Sequence, residues 1–177
     1  MEKSTRLSRF LNHSFFLSVS FSKDNNIIPF ELALSNYSGS AILHSNHARG
    51  TNSLLETADS AELYWGDMVK TIDSISVQVE TLTNFCDNHS IDRIDILKID
   101  AQGNELNILR GALDMLRRKA IDLIYFEIIV APTYVNQPQI DEYFSFLYGL
   151  GYRVFDLYEL YKKNYELLQM DGLFTAR

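Results

Sequence analysis

Apolar residues recur along the chain with two periods, which together predict alternating strands and helices. Spacings of three and four residues predict helices over residues 4–21, 81–89 and 139–148. Alternating or nearly continuous apolar runs of strand length, bounded by turn residues, predict the sheet. These runs cover residues 27–34, 40–44, 76–79, 94–99, 122–130, 152–157 and 171–176. Their order predicts an α/β fold around a mostly parallel sheet, into which the last two strands insert antiparallel.

The segment 94–112 carries the clearest pattern, which combines a buried strand, a tight turn and an amphipathic helix. The strand is nearly all apolar, as is typical of a parallel strand covered on both faces. Gly103 allows a close turn, and Asn104 is a residue type that caps helices. One apolar stripe at helical spacing follows, formed by Leu106, Leu109, Leu113 and Leu116. We therefore expect this helix to pack back on the sheet.

Two stretches lack a clear period. Residues 45–75 include a part rich in Ser, Asn and Gly, and we predict a long connection there. Connections of this length inside a compact domain are usually functional or mobile. Residues 158–168 are polar and rich in tyrosine, and we predict an excursion that shields the edge of the sheet.

Composition limits the classes of protein to which the chain can belong. With 177 residues and 46% hydrophobic content, residues 1–177 are predicted to form a single globular domain. A net charge of −7 gives no attraction for nucleic acid or for anionic lipid. No apolar run approaches the ~20 residues that a membrane-spanning helix needs. The short apolar run near the amino terminus lacks the cleavage site of a secretion signal. We expect neither nucleic acid nor membrane as a partner.

Cysteine usage indicates the compartment. Cys86 is the single cysteine, so it cannot form an internal disulfide, and it has no neighbours at metal-ligand spacing. We expect its side chain to face the core from the helix over residues 81–89. A reducing compartment, the cytoplasm, fits this usage best.

Charged side chains gather where predicted strands end. Lys98 and Asp100 end the strand of the segment 94–112, Glu105 follows in the first helical turn, and Glu127 lies near the end of the next strand. Open α/β sheets bind ligands in the crevice outside the carboxyl ends of their strands. Alternatively, Lys98 and Asp100 pair at the rim, Glu105 interacts with the helix dipole, and Glu127 is solvated. A further alternative is that the carboxylates bind Mg²⁺, which prefers oxygen ligands.

Several motifs resemble one enzyme family. They are ALSNYSG at 33–39, VQVETL at 77–82, DILKIDAQGNE at 95–105, LRGA at 109–112, YFE at 125–127 and DGLF at 171–174. In spacing and composition they are similar to the FkbM-type S-adenosylmethionine-dependent methyltransferases. The resemblance covers roughly residues 28–177, and it implies a Rossmann-like methyltransferase fold. The implied reaction is O-methylation of a sugar or a small metabolite, with S-adenosylmethionine as the cofactor.

The resemblance also implies roles for particular residues. Asp100 would act as the general base or orient the acceptor, and Lys98 and Glu127 would complete the catalytic group. The implied cofactor-binding residues are Glu2, Ser35 and Asp100. The implied substrate-binding residues are Glu105, His47 and Arg49, and no metal ligand is implied.

Further expectations concern the completeness of the domain. The family's first strand and its Gly-rich cofactor loop would lie before Met1, so the domain is predicted to be amino-terminally incomplete. Such a domain exposes a sheet edge that a homo-oligomer would cover. The alternative function is a degenerate, non-catalytic methyltransferase-like domain that acts as an interaction module. A glycosidase is a third hypothesis, but the carboxylates lack an accompanying pattern of aromatic subsites.

Overall fold

The protein is described by a computed structural model over residues 27–176. Two predictions, the helix over residues 4–21 and the role of Glu2, lie outside the described residues. Within this range the chain forms an α/β fold with two mixed sheets and several short helices. None of the helices in the described range combines the length and the apolar character that a membrane crossing requires.

The first sheet contains three strands. Strand β1 is Ala33–Ser35, β2 is Gly39–Asn46 and β3 is Thr71–Thr81. The order is β1-β3-β2, with β1 parallel and β2 antiparallel to β3. The strand predicted over residues 27–34 is therefore mostly wrong, because only its last two residues join the sheet. Pro29 has no backbone N–H to donate to a ladder, which is consistent with the irregular start of this segment.

The connection between β2 and β3 has more regular structure than its composition predicts. It contains two 3₁₀ turns, Arg49–Thr51 and Gly66–Val69, and helix α1, Ala61–Trp65. β3 begins five residues earlier than the strand predicted at residue 76. The exposed residues of this part of β3 give no alternating pattern, so the sequence alone did not reveal it.

The second sheet holds the carboxyl-terminal half of the described chain. The elements of this half are α2 Leu82–Asn88, β4 Ile94–Ile99, α3 Glu105–Gly111, α4 Leu113–Arg117, β5 Ile121–Ile129, α5 Ile140–Gly149, β6 Tyr152–Lys163 and β7 Glu166–Ala176. Its order is β4-β5-β7-β6, with β4 parallel to β5 and with β7 antiparallel to both β5 and β6. The antiparallel insertion of the last strands is thereby confirmed. The expected parallel majority is not found among residues 27–176, where two strand pairs are parallel and three are antiparallel.

The segment 94–112 folds as predicted, with two corrections. The helix is interrupted at Ala112, so its apolar stripe is divided between α3 and α4. Asn104 precedes α3, but its side chain does not cap the helix; its Nδ2 donates to the Leu34 carbonyl at 3.0 Å instead. This bond joins the turn after β4 to β1 of the first sheet. The predicted start of α2 is confirmed, since the Thr81 hydroxyl accepts from the Asn84 amide, and Cys86 is buried as expected.

The excursion predicted over residues 158–168 is wrong. β6 continues to Lys163 and β7 starts at Glu166, so these residues form a long hairpin. The two turn residues, Asn164 and Tyr165, have φ values of 50° and 66°. A two-residue turn with positive φ at both positions matches the twist of a β-hairpin. Tyrosine is an unusual residue there, which explains why the turn is hard to recognise in the sequence.

The two faces of the second sheet have different roles. One face carries buried apolar side chains, including Leu97, Ile99, Phe126 and Phe174, which pack in the core with the apolar residues of α2–α5. Because successive strand residues point to opposite faces, the residues between them point away from this core. Lys98, Tyr125, Glu127, Gln169 and Asp171 occupy such alternate positions. The polar face of the sheet therefore carries the ionisable groups.

Candidate functional site

A cavity of about 200 Å³ opens on the polar face of the second sheet. It brings together the three residues predicted to be catalytic, Lys98, Asp100 and Glu127. β4 and β5 are parallel neighbours, so their carboxyl ends meet at the same edge of the sheet. The full lining is Lys98, Ile99, Asp100, Tyr125, Glu127, Glu159, Gln169 and Asp171.

Lys98 and Asp100 form an ion pair at the cavity wall. The Lys98 Nζ lies 3.3 Å from Asp100 Oδ2, and the two side chains are 30% and 40% exposed. They lie two positions apart at one strand end, with Ile99 between them, so both side chains reach the same face. The Lys98–Asp100 ion pair of the alternative interpretation is thus present. Both residues line the cavity, so the ion pair is part of the candidate site.

Gln102 connects the two predicted catalytic carboxylates. Its Nε2 lies 3.1 Å from Asp100 Oδ1 and 2.6 Å from Glu127 Oε2. Glu127 is held on its other oxygen by Gln169, whose Nε2 donates to Oε1 at 3.0 Å. Glu127 therefore has an amide donor on each oxygen, and its position is fixed from two elements.

Glu127 has an unusual protonation equilibrium. Burial, followed by the nearby carboxylates of Asp100, Glu105 and Asp171, raises the pKa of Glu127 to about 8, although the hydrogen bond from Gln102 acts in the opposite direction. Burial and like charges both disfavour the ionised form of a carboxyl group. A group with a pKa near neutrality can both hold and accept a proton at physiological pH.

Glu105 does not reach the cavity. Its side chain is fully buried, and Oε1 accepts from the Ala101 backbone N–H at 2.8 Å. The Tyr143 hydroxyl donates to its other oxygen at 3.4 Å. Burial raises the pKa of Glu105 to about 7. The carboxyl group thus joins the turn to the start of α3 and is fully buried in this structure, and the predicted contact with substrate stays a prediction.

The opposite wall of the cavity comes from β5, β6 and β7. The Tyr125 hydroxyl donates to Asp171 Oδ2, and this hydrogen bond raises the pKa of Tyr125. Burial raises the pKa of Asp171, which is the strand neighbour of Glu127. Glu159 lies at an irregularity in the pairing of β6 and has a φ of 48°. Such bulges can redirect a side chain, and here the redirected carboxylate lines the cavity.

The remaining predicted residues lie elsewhere. Ser35 is buried at the end of β1, where its carbonyl contacts Gly111, and it does not line the cavity. His47 and Arg49 are exposed in the turn after β2 and do not line the cavity either. Of the predicted cofactor-binding residues within the described range, only Asp100 reaches it. The sequence could not show how far Ser35, His47 and Arg49 lie from the cavity, because these distances depend on how the elements pack.

Several residues of the site received no role from the sequence. Gln102, Tyr125 and Asp171 lie within the motifs quoted above but have no predicted role, and Glu159 and Gln169 lie outside those motifs. Strand alternation was a usable signal for Tyr125, which lies two positions before Glu127 and hence on the same face. No comparable local signal existed for Glu159, because the irregularity in β6 depends on its pairing with β7.

The cavity is small. Sites for drug-sized ligands occupy about 300–1,000 Å³, whereas this cavity has about 200 Å³. This cavity therefore has room for part of an acceptor and is too small to hold a whole S-adenosylmethionine molecule. Among the described residues, no group of three or more His, Cys, Asp and Glu side chains is arranged to hold a metal ion.

Comparison with known proteins identifies the family. The model of the methyltransferase FkbM domain matches residues 12–154, which is more than half of the chain. No curated protein and no solved structure matches the chain. The matched range includes β1–β5, α2–α5 and the predicted catalytic residues on β4 and β5. The chain therefore belongs to the FkbM methyltransferase domain family.

Proposed function

We propose that the protein transfers a methyl group from S-adenosylmethionine to a hydroxyl group of a small acceptor, a sugar or another metabolite. Family membership supports methyl transfer. The observation that carries the proposal is the shared cavity, in which Asp100 and Glu127 face each other across the Gln102 amide. Carboxylate and amide oxygens are suitable acceptors for the hydroxyl groups of a sugar or polyol.

We assign the proton transfer to Glu127. S-adenosylmethionine, when bound, supplies a methyl group that is electrophilic because it is attached to a sulfonium. The acceptor hydroxyl must lose its proton as the new bond forms, and a base works best when its pKa is close to the working pH. A pKa of about 8 meets this condition for Glu127. Glu127 is thus the preferred base, in place of the Asp100 expected from the motif.

Asp100 and Lys98 have a supporting role in this proposal. Asp100 lies across Gln102 from Glu127, where its carboxylate can accept a hydrogen bond from the acceptor and fix its orientation. Lys98 pairs with Asp100 at 3.3 Å and restrains it. Orientation of the reacting groups accounts for a large share of enzymatic rate enhancement.

The cytoplasmic location expected from the single cysteine remains a prediction.

The first test is binding and turnover. Calorimetric titration with S-adenosylmethionine and with its demethylated product should show binding to the full chain. Transfer of radiolabelled methyl groups to a panel of neutral sugars and polyols then identifies the acceptor. We expect Glu127→Gln to lower the rate by about 10²–10⁴-fold, the usual contribution of a general base. The pH profile of the wild type should rise toward pH 8, since Glu127 accepts a proton only when ionised.

Matched variants separate chemistry from folding. Asp95→Asn changes an exposed carboxylate on β4, the strand that also leads to Asp100, and should leave the rate unchanged. Asp100→Asn should lower the rate while the melting temperature stays close to that of the wild type. If neither the cofactor nor its product binds, methyl transfer is excluded for this chain, and the interaction module becomes the better hypothesis.

A further inference from the structure

We propose that Gln102 is the positioning residue that holds the Asp100 and Glu127 carboxylates in one geometry. The proposal rests on the proposed function only for what this pair does in the reaction. Neither the motif comparison nor the alternation of strand residues assigns Gln102 a role. The proposal stands on three features of the structure: the backbone of Gln102, the anchoring of its amide, and the charges that surround Glu127.

The backbone at Gln102 is in an unfavourable region. Its φ of 51° lies in the left-handed region, which residues other than glycine rarely adopt. Such conformations cost of order 1–3 kcal/mol each and persist where the surrounding structure enforces them. Here the conformation turns the side chain toward the cavity, between the end of β4 and the end of β5. A glycine at this position would relieve the backbone but would remove the amide.

The amide of Gln102 is anchored on the side away from the carboxylates. The Tyr134 hydroxyl lies 3.1 Å from Gln102 Oε1 and 2.9 Å from the Thr51 carbonyl oxygen, so its one proton is shared between two acceptors. The backbone carbonyl of Gln102 accepts from Ser53 Oγ at 2.7 Å. Tyr134 also packs against the turn, since a Cβ on Gly103 would lie 3.0 Å from its ring. With Oε1 beside the Tyr134 hydroxyl, Nε2 faces both carboxylates. The orientation of the amide is therefore set by Tyr134 on one side and by the two carboxyl groups on the other.

The charges around Glu127 require such a donor. Carboxylates face it from each neighbouring element: Asp100 follows β4, Glu105 starts α3, Asp171 lies on β7 and Glu159 on β6. Lys98 is the one basic side chain in the cavity lining, and it is paired with Asp100. When Glu127 is ionised, the Gln102 amide is the donor that lies between it and Asp100. Gln102 thus keeps the ionised pair close enough to bind one acceptor.

The experiment measures the ionisation of Glu127 in the full chain without ligand. Carboxyl carbon NMR titrations are compared for the wild type, Gln102→Leu and Gln102→Glu. The amide favours the ionised form of Glu127, so its removal in Gln102→Leu should raise the pKa of Glu127 by about one. Gln102→Glu keeps the shape but replaces a donor with an acceptor, and it should raise the pKa further.

Controls make the result decisive. Gln78→Leu removes an exposed amide on β3 that contacts Ser40, and it should leave the titration of Glu127 unchanged. If Gln102→Leu does not fold, Tyr134→Phe removes one hydroxyl, which contacts Gln102 Oε1 and the Thr51 carbonyl, and it should give a smaller rise. An unchanged pKa of Glu127 in the folded variants would overturn the proposal. Because no cofactor or acceptor is present, this result is independent of whether methyl transfer is detected.

Discussion

At the scale of single residues, two carboxyl groups retain protons that carboxylic acids usually release. The pKa of Glu105 is about 7 and that of Glu127 is about 8, in both cases chiefly because of burial. In the unfolded chain both groups would titrate near 4.3. The folded protein therefore binds more protons than the unfolded chain between these values. By linkage, the stability that protonated Glu105 and Glu127 provide is complete below about pH 4.3 and is lost as the pH rises to 8.

This linkage gives a prediction for Glu105→Gln. Glutamine has the shape of the protonated acid and still accepts from the Ala101 N–H, so it removes the titration without opening a cavity. We expect the variant to be about 1–3 kcal/mol more stable than the wild type above pH 7. The measurement is urea unfolding between pH 5 and pH 9.

The control for this prediction is Glu62→Gln, which changes an exposed carboxylate in the first turn of α1. Its unfolding curves should follow the wild type at every pH. Equal slopes of stability against pH for Glu105→Gln and the wild type would contradict the assignment of a buried, protonated Glu105.

At the scale of elements, the packing of α3 on β1 joins the two sheets. A Cβ added to Gly111 would lie 2.1 Å from the Ser35 carbonyl oxygen, a distance at which the backbone must move. The Asn104 side chain bonds the neighbouring Leu34 carbonyl at 3.0 Å. Gly111 belongs to the LRGA motif, so the structure supplies a physical reason for that glycine. Close approach of two backbones, rather than an unusual φ, is what requires it.

Gly111→Ala should therefore destabilise the fold. Overpacking in a dense interior typically costs about 1–3 kcal/mol, and we expect at least that much because the contact is with backbone. Thermal unfolding monitored by circular dichroism measures the loss. Gly149→Ala provides the matched control, since no atom lies within 4 Å of its added Cβ and it ends a helix. A melting temperature for Gly111→Ala equal to that of Gly149→Ala would contradict the close packing of α3 on β1.

At the scale of the whole molecule, the second sheet ends in two edge strands that differ in regularity. Among the described strands of this second sheet, β4 and β6 have a neighbour on one side only. β6 carries exposed Phe155, but its pairing with β7 is irregular at three places, which discourages further pairing. β4 pairs with β5 without an irregularity and exposes Ile96. β4 is therefore the edge more open to another strand.

This difference predicts how the protein self-associates. We expect Ile96→Lys to reduce concentration-dependent association, measured by sedimentation velocity, because a charge on a regular edge strand opposes pairing. Phe155→Lys, at the irregular edge, should have a smaller effect. If the protein sediments as a monomer at all concentrations, or if only Phe155→Lys has an effect, the predicted use of the β4 edge is wrong.

The sequence by itself determined the features that depend on near neighbours in the chain. Apolar periodicity placed β4, β5, α2 and α5 within one or two residues, and the Thr81 side chain marked the start of α2. Alternation and strand ends also placed Asp100 and Glu127 at one edge of a sheet. These features are local because side-chain direction and helix capping are set by adjacent backbone geometry.

Only the tertiary structure decided which of the charged residues share a cavity. Glu105 is buried, Ser35 packs against α3, and Gln102 joins the two carboxylates, although each of the three lies within one of the family motifs. The β6–β7 hairpin likewise depends on pairing that a tyrosine in the turn conceals. Burial, pKa and strand pairing arise from groups that are distant in the chain, so no local pattern encodes them.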